Sequence, residues 1–335
     1  MKIALLTPTF SAFSGIDRVV ADQAEQHLAK GDTVLIMCLA GDMKSKAKVI
    51  RLGMPGQRTW GRLYRLFFFL DGAKIRRAAA MLKGYDVAVS HFYPLNLIAK
   101  EAKKKYGVSY VYHNHGVSWP RLFSSPFDKA YIWLFGLLSN ASVKGCDAAV
   151  SVSKFLQDEL LRETGIRSVV QYNRIDAKLY HPRVSGAQVR KKYGLGKDPV
   201  LLYVGRISPH KGVHLLIEAY KVAKQKKPRL KLLIVGKDTF PGYTKKLRAM
   251  ADQGVIFTGF IPEEMLAKFY GSCDIYTTAS LWEGFDLPAA EAQACGKPVV
   301  AFSIGSHPEV VKKGLLVKEG DVQGFADAIL KTLKV

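Results

Sequence analysis

Two short stretches of this 335-residue chain combine residues that can act on a charged, hydroxyl-rich ligand. The first, Gly205-Arg206-Ile207-Ser208-Pro209-His210-Lys211-Gly212, follows an apolar run at 200–204 and leads into a helical pattern. Arg206 and Lys211 would stand at the carboxyl edge of a sheet and at the start of a helix, where two cations and free backbone N–H groups converge. A diphosphate suits such a place, although two solvated loop cations give the same pattern. The second stretch runs from Ser280 to Glu291 after the strand-like run 274–278, with Pro288 suited to a first helical turn. A carboxylate accepts two hydrogen bonds from a vicinal diol, so Glu291 suits a ribose and Glu283 the hydroxyls of a sugar. Gly284 would let the backbone approach a ligand closely. Glu291 also has a plainer role open to it, favouring a helix N-terminus by its charge.

These residues need a scaffold, and the hydrophobic pattern supplies one. Short β-branched or aliphatic runs recur at 2–6, 33–38, 86–90, 108–112, 147–152, 200–204, 230–235, 255–258, 274–278 and 298–302, separated by amphipathic stretches. Helices over 16–29 and 211–227 each carry an apolar stripe, the first through Ile16, Val19, Val20, Ala24 and Leu28. Such alternation predicts parallel α/β layering. The polar, basic segment from Asp176 to Pro199 breaks the rhythm and divides the chain into domains at 1–180 and 181–335. Two doubly wound, Rossmann-like domains facing each other across a cleft are expected, with ligands beyond the carboxyl ends of the strands.

Composition narrows the function classes. With 48% apolar and 23% charged residues, 29 Gly, 14 Pro and four separate Cys, the chain is neither fibrous, disordered nor a disulfide miniprotein. No apolar run reaches the length of a spanning helix, and the opening Met1 to Leu6 run stops at Thr7-Pro8-Thr9, as a first strand does and a signal peptide does not. A cytoplasmic protein is expected. The net charge of +22 is uneven: Lys44 to Lys83 holds 11 basic residues and one acidic, Asp71, interleaved with Trp60, Tyr64 and Phe67 to Phe69. Basic residues mixed with aromatics suit an anionic membrane surface, a solvated helix face or nucleic acid. No helix-turn-helix, RRM-type or zinc-finger pattern supports nucleic acid, and none is expected as a partner. A dinucleotide-dependent oxidoreductase would need Gly-x-Gly-x-x-Gly after a strand, which the first turn, Thr7 to Gly15, lacks, and no P-loop is present.

The Gly-Arg and Lys-Gly pairs of 205–212, together with Glu283-Gly284-Phe285-Asp286-Leu287-Pro288 and the run on to Val299, resemble the retaining family 4 glycosyltransferases of the GT-B fold. The resemblance extends to Gly305 to Glu309, Asn173 to Asp176, Phe13 to Val19, Asp147 to Ser153 and His113-Asn114-His115-Gly116. It implies transfer of a hexose from a UDP- or GDP-linked sugar to an acceptor hydroxyl, on a glycan or lipid-linked glycan, with retained anomeric configuration. No cofactor and no bound metal are implied. Arg206 and Lys211 would neutralise the leaving diphosphate in place of a metal. Glu291 would hold the ribose and Glu283 the transferred sugar, while backbone N–H groups of Phe285, Asp286 and Leu287 would add contacts. Gly15 would let the first loop close over the phosphates, and His115 would line the reaction centre and bond the donor sugar. Without the resemblance, His115 also reads as one of a histidine pair satisfied within the fold. Base contacts are expected from the turn Gly259 to Pro262. Peripheral association with the inner face of an anionic membrane through 44–83 is the corollary. A nucleotide-sugar-binding relative with weak or no transfer is the nearest alternative.

Two departures stand out. Ser14-Gly15 replaces the paired glycines usual in the family's first loop, and Asp286 stands where glycine is common, where its carboxylate would repel a diphosphate unless it points away or contacts the sugar.

Overall fold

The computed structural model describes residues 1–12, 14–123 and 125–334, with only the backbone of Arg58 and Pro241; Phe13 of the first-loop motif, Ser124 and Val335 lie outside the described residues. The chain forms two compact units, Met1–Asn173 and Arg174–Val335.

The first unit holds seven parallel strands: β1 (Lys2–Thr9), β2 (Thr33–Ala40), β3 (Lys48–Arg51), β4 (Val87–Ser90), β5 (Ser109–Asn114), β6 (Ala148–Ser151) and β7 (Val169–Val170). Their order is β3-β2-β1-β4-β5-β6-β7. The second unit holds six more, β8 (Val200–Val204), β9 (Lys231–Val235), β10 (Val255–Gly259), β11 (Ile275–Thr278), β12 (Val299–Phe302) and β13 (Gly314–Val317), in the order β10-β9-β8-β11-β12-β13. Each unit therefore winds outward from its first strand in both directions. The switch in direction falls beside β1 and β4 in the first unit and beside β8 and β11 in the second, and it opens a crevice at the carboxyl ends of those strands.

The near-continuous apolar runs are explained by burial on both faces. In β8, Leu201 and Tyr203 pack into one core layer while Val200, Leu202 and Val204 pack into the opposite one. In β1, Ala4 and Leu6 face one layer, Ile3 and Leu5 the other. A one-residue slip in either strand would exchange its two faces, so register is tightly specified. The helix Val213–Lys226 covers the sheet of the second unit through Val213, Leu216, Ile217 and Tyr220.

Three strands were not expected from the hydrophobic pattern: β3, β7 and β13. β3 and β7 are edge strands, and β3 carries Lys48 and Arg51 at its ends, which is how exposed edges avoid pairing with other chains.

Candidate active site

In the second unit, three loops meet at the carboxyl edge of β8, β11 and β12. The loop after β8 carries Arg206 and Lys211 and ends in a short turn of 3₁₀ helix, Pro209–Lys211. Gly212 follows at φ 60°, and a Cβ there would stand 1.8 Å from the Ala279 carbonyl oxygen after β11, so the Lys-Gly pair is a packing requirement as well as a turn. The Leu281 amide donates to the His210 carbonyl at 2.8 Å, tying the same two loops together. The loop after β12 joins them: the Ser306 amide donates to the Glu283 carbonyl at 3.1 Å, and a Cβ on Gly305 would stand 2.4 Å from that oxygen. The backbone around Glu283 is thus fixed from two sides.

The predicted charged residues converge, although in a pattern the sequence did not predict. Lys211 Nζ donates to Glu283 Oε1 at 2.6 Å, and Ser280 Oγ donates to the same oxygen at 2.8 Å. The prospective sugar ligand and one prospective phosphate cation are therefore already paired. Arg206 is exposed beside them, its carbonyl accepting from the Tyr203 hydroxyl at 2.9 Å. Glu291 is 1% exposed on the helix Leu287–Ala294 and accepts from the Tyr270 hydroxyl at 2.6 Å. Burial foremost, then the Glu291 charge, holds the Tyr270 phenol well above its usual range, so it remains a donor. Gly284 and Phe285 continue the loop from Glu283, and Leu287 opens the helix.

Asp286 takes the arrangement in which its side chain points away. Its backbone lies at φ 65°, where glycine is the easy residue, and its side chain is turned inward. Oδ1 accepts from the Ala289 amide at 3.1 Å and caps the helix, while Oδ2 lies 3.0 Å from His307 Nε2. His307 Nδ1 in turn lies 2.7 Å from the Phe302 carbonyl. Two acceptors, one on each nitrogen, favour the imidazolium. Burial alone would lower the His307 pKa and raise that of Asp286, but their mutual bond and charge prevail, and His307 is held above its ordinary value and Asp286 below. Glu283, Asp286 and His307 lie close enough to hold a metal ion. Lys211 and His307 already neutralise those carboxylates, so a divalent cation would displace existing partners.

In the first unit, Gly15 opens the helix Gly15–Ala29 after β1. Ser14, in place of a glycine, caps that helix: its Oγ accepts from the Asp17 amide at 3.3 Å. Asp17 is buried and gathers the loop around itself, accepting from Thr7 Oγ1 at 3.1 Å, Thr9 Oγ1 at 2.9 Å, and the Ser11 amide and hydroxyl at 2.9 and 3.1 Å. Burial pushes its carboxyl up to about 6 against those bonds. His115, read as a reaction-centre residue or one of a histidine pair, stands in a cluster of three. His91 Nδ1 and His115 Nε2 are 3.1 Å apart, and His113 rings pack against both. Burial lowers all three, His113 to about 4, so the cluster is neutral at neutral pH.

The basic segment 44–83 spans β3, the helix Arg58–Leu66, the turn Phe68–Leu70 and the helix Gly72–Ala80. Trp60, Phe67, Phe69 and Leu70 are exposed, Trp60 by 62%. Not all of the segment faces solvent: Phe68 is buried, and the Tyr64 hydroxyl donates to Asp71 and accepts from Lys74. Arg62 pairs with Asp128 at 2.8 Å and stacks 4.2 Å over Tyr131. No helix among the described residues is long and apolar enough to cross a membrane.

Sequence reasoning missed His91, Asp17, Tyr270 and His307 as site residues. Asp17 and His307 lie within the motif stretches Phe13 to Val19 and Gly305 to Glu309 without being singled out there, whereas His91 and Tyr270 carried no signal.

Residues 13–179 match the family Glycosyltransferase Family 4, and residues 187–335 match Glycosyl transferases group 1. The chain is 28% identical to a GDP-mannose-dependent alpha-(1-6)-phosphatidylinositol monomannoside mannosyltransferase of Mycolicibacterium smegmatis, over 65% of this chain and 58% of that protein. It is 30% identical to a D-inositol 3-phosphate glycosyltransferase of Mycobacteroides abscessus, over 73% of this chain and 58% of the relative. The chain spans about half the length of the curated relatives it matches. Among solved structures, Anabaena HepE in complex with UDP and glucose superposes with a TM-score of 0.81 at 24% identity, covering 100% of this chain and 90% of that one. With the two family matches spanning nearly its whole length and both sheets wound as in GT-B structures, the chain belongs to the family 4, group 1 glycosyltransferases.

Proposed function

We propose that the protein transfers a hexose from a UDP- or GDP-linked sugar to an acceptor hydroxyl, with retained anomeric configuration and without a metal on the diphosphate. The observation that carries this reading is the placement of Arg206 and Lys211 on the loop after β8 and of Glu283 and Glu291 on the loop and helix after β11, at the switch point of one sheet, with Lys211 paired to Glu283. Lys211 and Arg206 would neutralise the diphosphate as the bond from the sugar anomeric carbon to the phosphate oxygen breaks. The acceptor oxygen would form its bond to that carbon on the same face, and its proton would pass to the departing phosphate. Glu291, oriented by Tyr270, would accept from the ribose diol. Glu283, held by Lys211 and Ser280, would accept from sugar hydroxyls. On the first unit, the loop from Thr9 to Gly15 would approach the phosphates, and His115 would bond the donor sugar.

A lipid-linked acceptor fits the exposed Trp60, Phe67, Phe69 and Leu70 among basic residues, with Phe127, Trp133 and Leu137 exposed on the helix Pro126–Val143. Named relatives include a mannosyltransferase of a phosphatidylinositol mannoside, which supports that acceptor class. Steady-state kinetics on two variants tests the assignment. Glu291→Ala should raise the donor KM chiefly, whereas His115→Ala should lower kcat more than donor affinity. Unchanged donor affinity in the first would remove the ribose role, and unchanged kcat in the second the reaction-centre role.

A further inference from the structure

The carboxyl ends of β4 and β5 bring together more donor atoms than sugar binding needs. His91 follows β4, His113 lies in β5, and His115 comes one residue after β5. Their rings pack pairwise with centroids 4.8, 5.3 and 4.7 Å apart. One ring nitrogen from each lies within 4.8 Å of the other two, and all three residues are buried.

Hydrogen bonding leaves this cluster incomplete. His91 Nδ1 and His115 Nε2 share one bond, and Gln23 Nε2 lies 3.1 Å from His113 Nδ1. His91 Nε2 and His113 Nε2 are buried with no partner. Buried polar atoms without partners are rare, and here two belong to one group of touching rings. Three imidazoles without a carboxylate or thiolate form the donor set chosen by Zn2+ and its neighbours among the transition ions, whereas Mg2+ and Ca2+ take oxygen ligands. With Zn–N bonds of about 2.05 Å, tetrahedral geometry places ligand nitrogens about 3.3 Å and ring centroids about 5.2 Å apart. The observed centroid spacings straddle that value, so ring rotations that move nitrogens by about an ångström complete the shell. Gln23, turned about its amide, would accept from His113 Nδ1–H, the outer bond that fixes a metal-bound imidazole.

We propose that His91, His113 and His115 form a three-histidine site for a borderline divalent transition ion, Zn2+ foremost, with a fourth position open to water or a ligand. On the transferase reading above, the bound ion takes the His115 lone pair away from the donor sugar, so zinc restrains turnover. Binding itself does not depend on that reading, and its measurement needs no activity.

The test uses tag-free full chain stripped with a chelator and titrated with Co2+, then competed with Zn2+. The expected result is one tetrahedral cobalt per chain by visible absorption, without a thiolate charge-transfer band, and stoichiometric displacement by zinc. His91→Asn and His113→Asn should each weaken binding by at least ~10-fold while keeping the far-ultraviolet circular dichroism of the wild type. Absence of saturable binding, a thiolate band, or full affinity in the folded variants would overturn the site. Should the variants fail to fold, X-ray absorption on zinc-loaded wild type decides: three imidazole nitrogens at about 2.0–2.1 Å support the site, and a sulfur or carboxylate shell refutes it.

Discussion

Replacing Asp286 with glycine should destabilise the second unit. The substitution has one favourable effect, because Asp286 sits at φ 65° and relief of that backbone strain contributes about 1 kcal/mol. Losing the helix cap to glycine costs only a few tenths of a kcal/mol. Against these stands the pair with His307, whose side chains are 0% and 3% exposed, and removing one partner of such a buried pair costs about 3–5 kcal/mol. The net expectation is a loss of about 2–4 kcal/mol. Asp286→Asn should lose less, about 1 kcal/mol, because its amide can donate to neutral His307 Nε2 while its oxygen keeps the cap.

The pH dependence gives a second readout of the same pair. His307 is held above its ordinary value, so its contribution is complete below about pH 6.5 and fades as pH rises through the folded value. Asp286 is held below its ordinary value, so its contribution is complete above about pH 4 and fades as pH falls through the folded value. The stabilisation is therefore greatest between about pH 4 and 6.5. Native-state hydrogen exchange of the amides in β11 and β12, followed against urea at several pH values, measures both quantities within this unit. An Asp286→Gly variant as stable as wild type, with the same pH profile, would refute the ion pair.

Three further outcomes are expected. Lys211→Ala should reduce transfer by about 10²–10³-fold and leave buried Glu283 without its cation; adding Glu283→Gln should restore stability, read by urea unfolding, without restoring transfer. Asp17 binds its proton more tightly folded than unfolded, so unfolding free energy should fall by up to about 3 kcal/mol as pH rises from about 4 to 6, and Asp17→Asn should remove that slope. Trp60→Ala combined with Phe69→Ala should weaken co-sedimentation with anionic liposomes, while absence of wild-type binding at every salt concentration would remove the membrane corollary.

The fold was legible because its strands are buried on both faces and read as unbroken aliphatic runs, such as Val200 to Val204. Two of the edge strands gave little signal: β3 mixes Lys48 and Arg51 with two aliphatics, and β7 is two residues long. The candidate site could be proposed where its chemistry is contiguous, at 205–212 and 283–291. What escaped were pairings between distant positions, including Lys211 with Glu283, 72 residues apart, and Glu291 with Tyr270, 21 apart. Which way the Asp286 side chain turns was not legible either. A carboxylate in a phosphate loop reads as repulsive until His307, brought in by the loop after β12, supplies its counter-charge. His91 was similarly hidden, because only the β4–β5 pairing carries it to His113 and His115.

The most direct measurement is a thermal-shift titration in EDTA against UDP-, GDP-, ADP- and dTDP-sugars, with NADH and duplex DNA as controls. A ligand that binds only the folded state adds about 2.7 kcal/mol of stability at a hundredfold excess over Kd. The predicted result is a rise in Tm with one class of sugar nucleotide, lost in the Arg206→Ala, Lys211→Ala double variant. A shift with NADH or DNA, and none with any sugar nucleotide, would contradict the assignment.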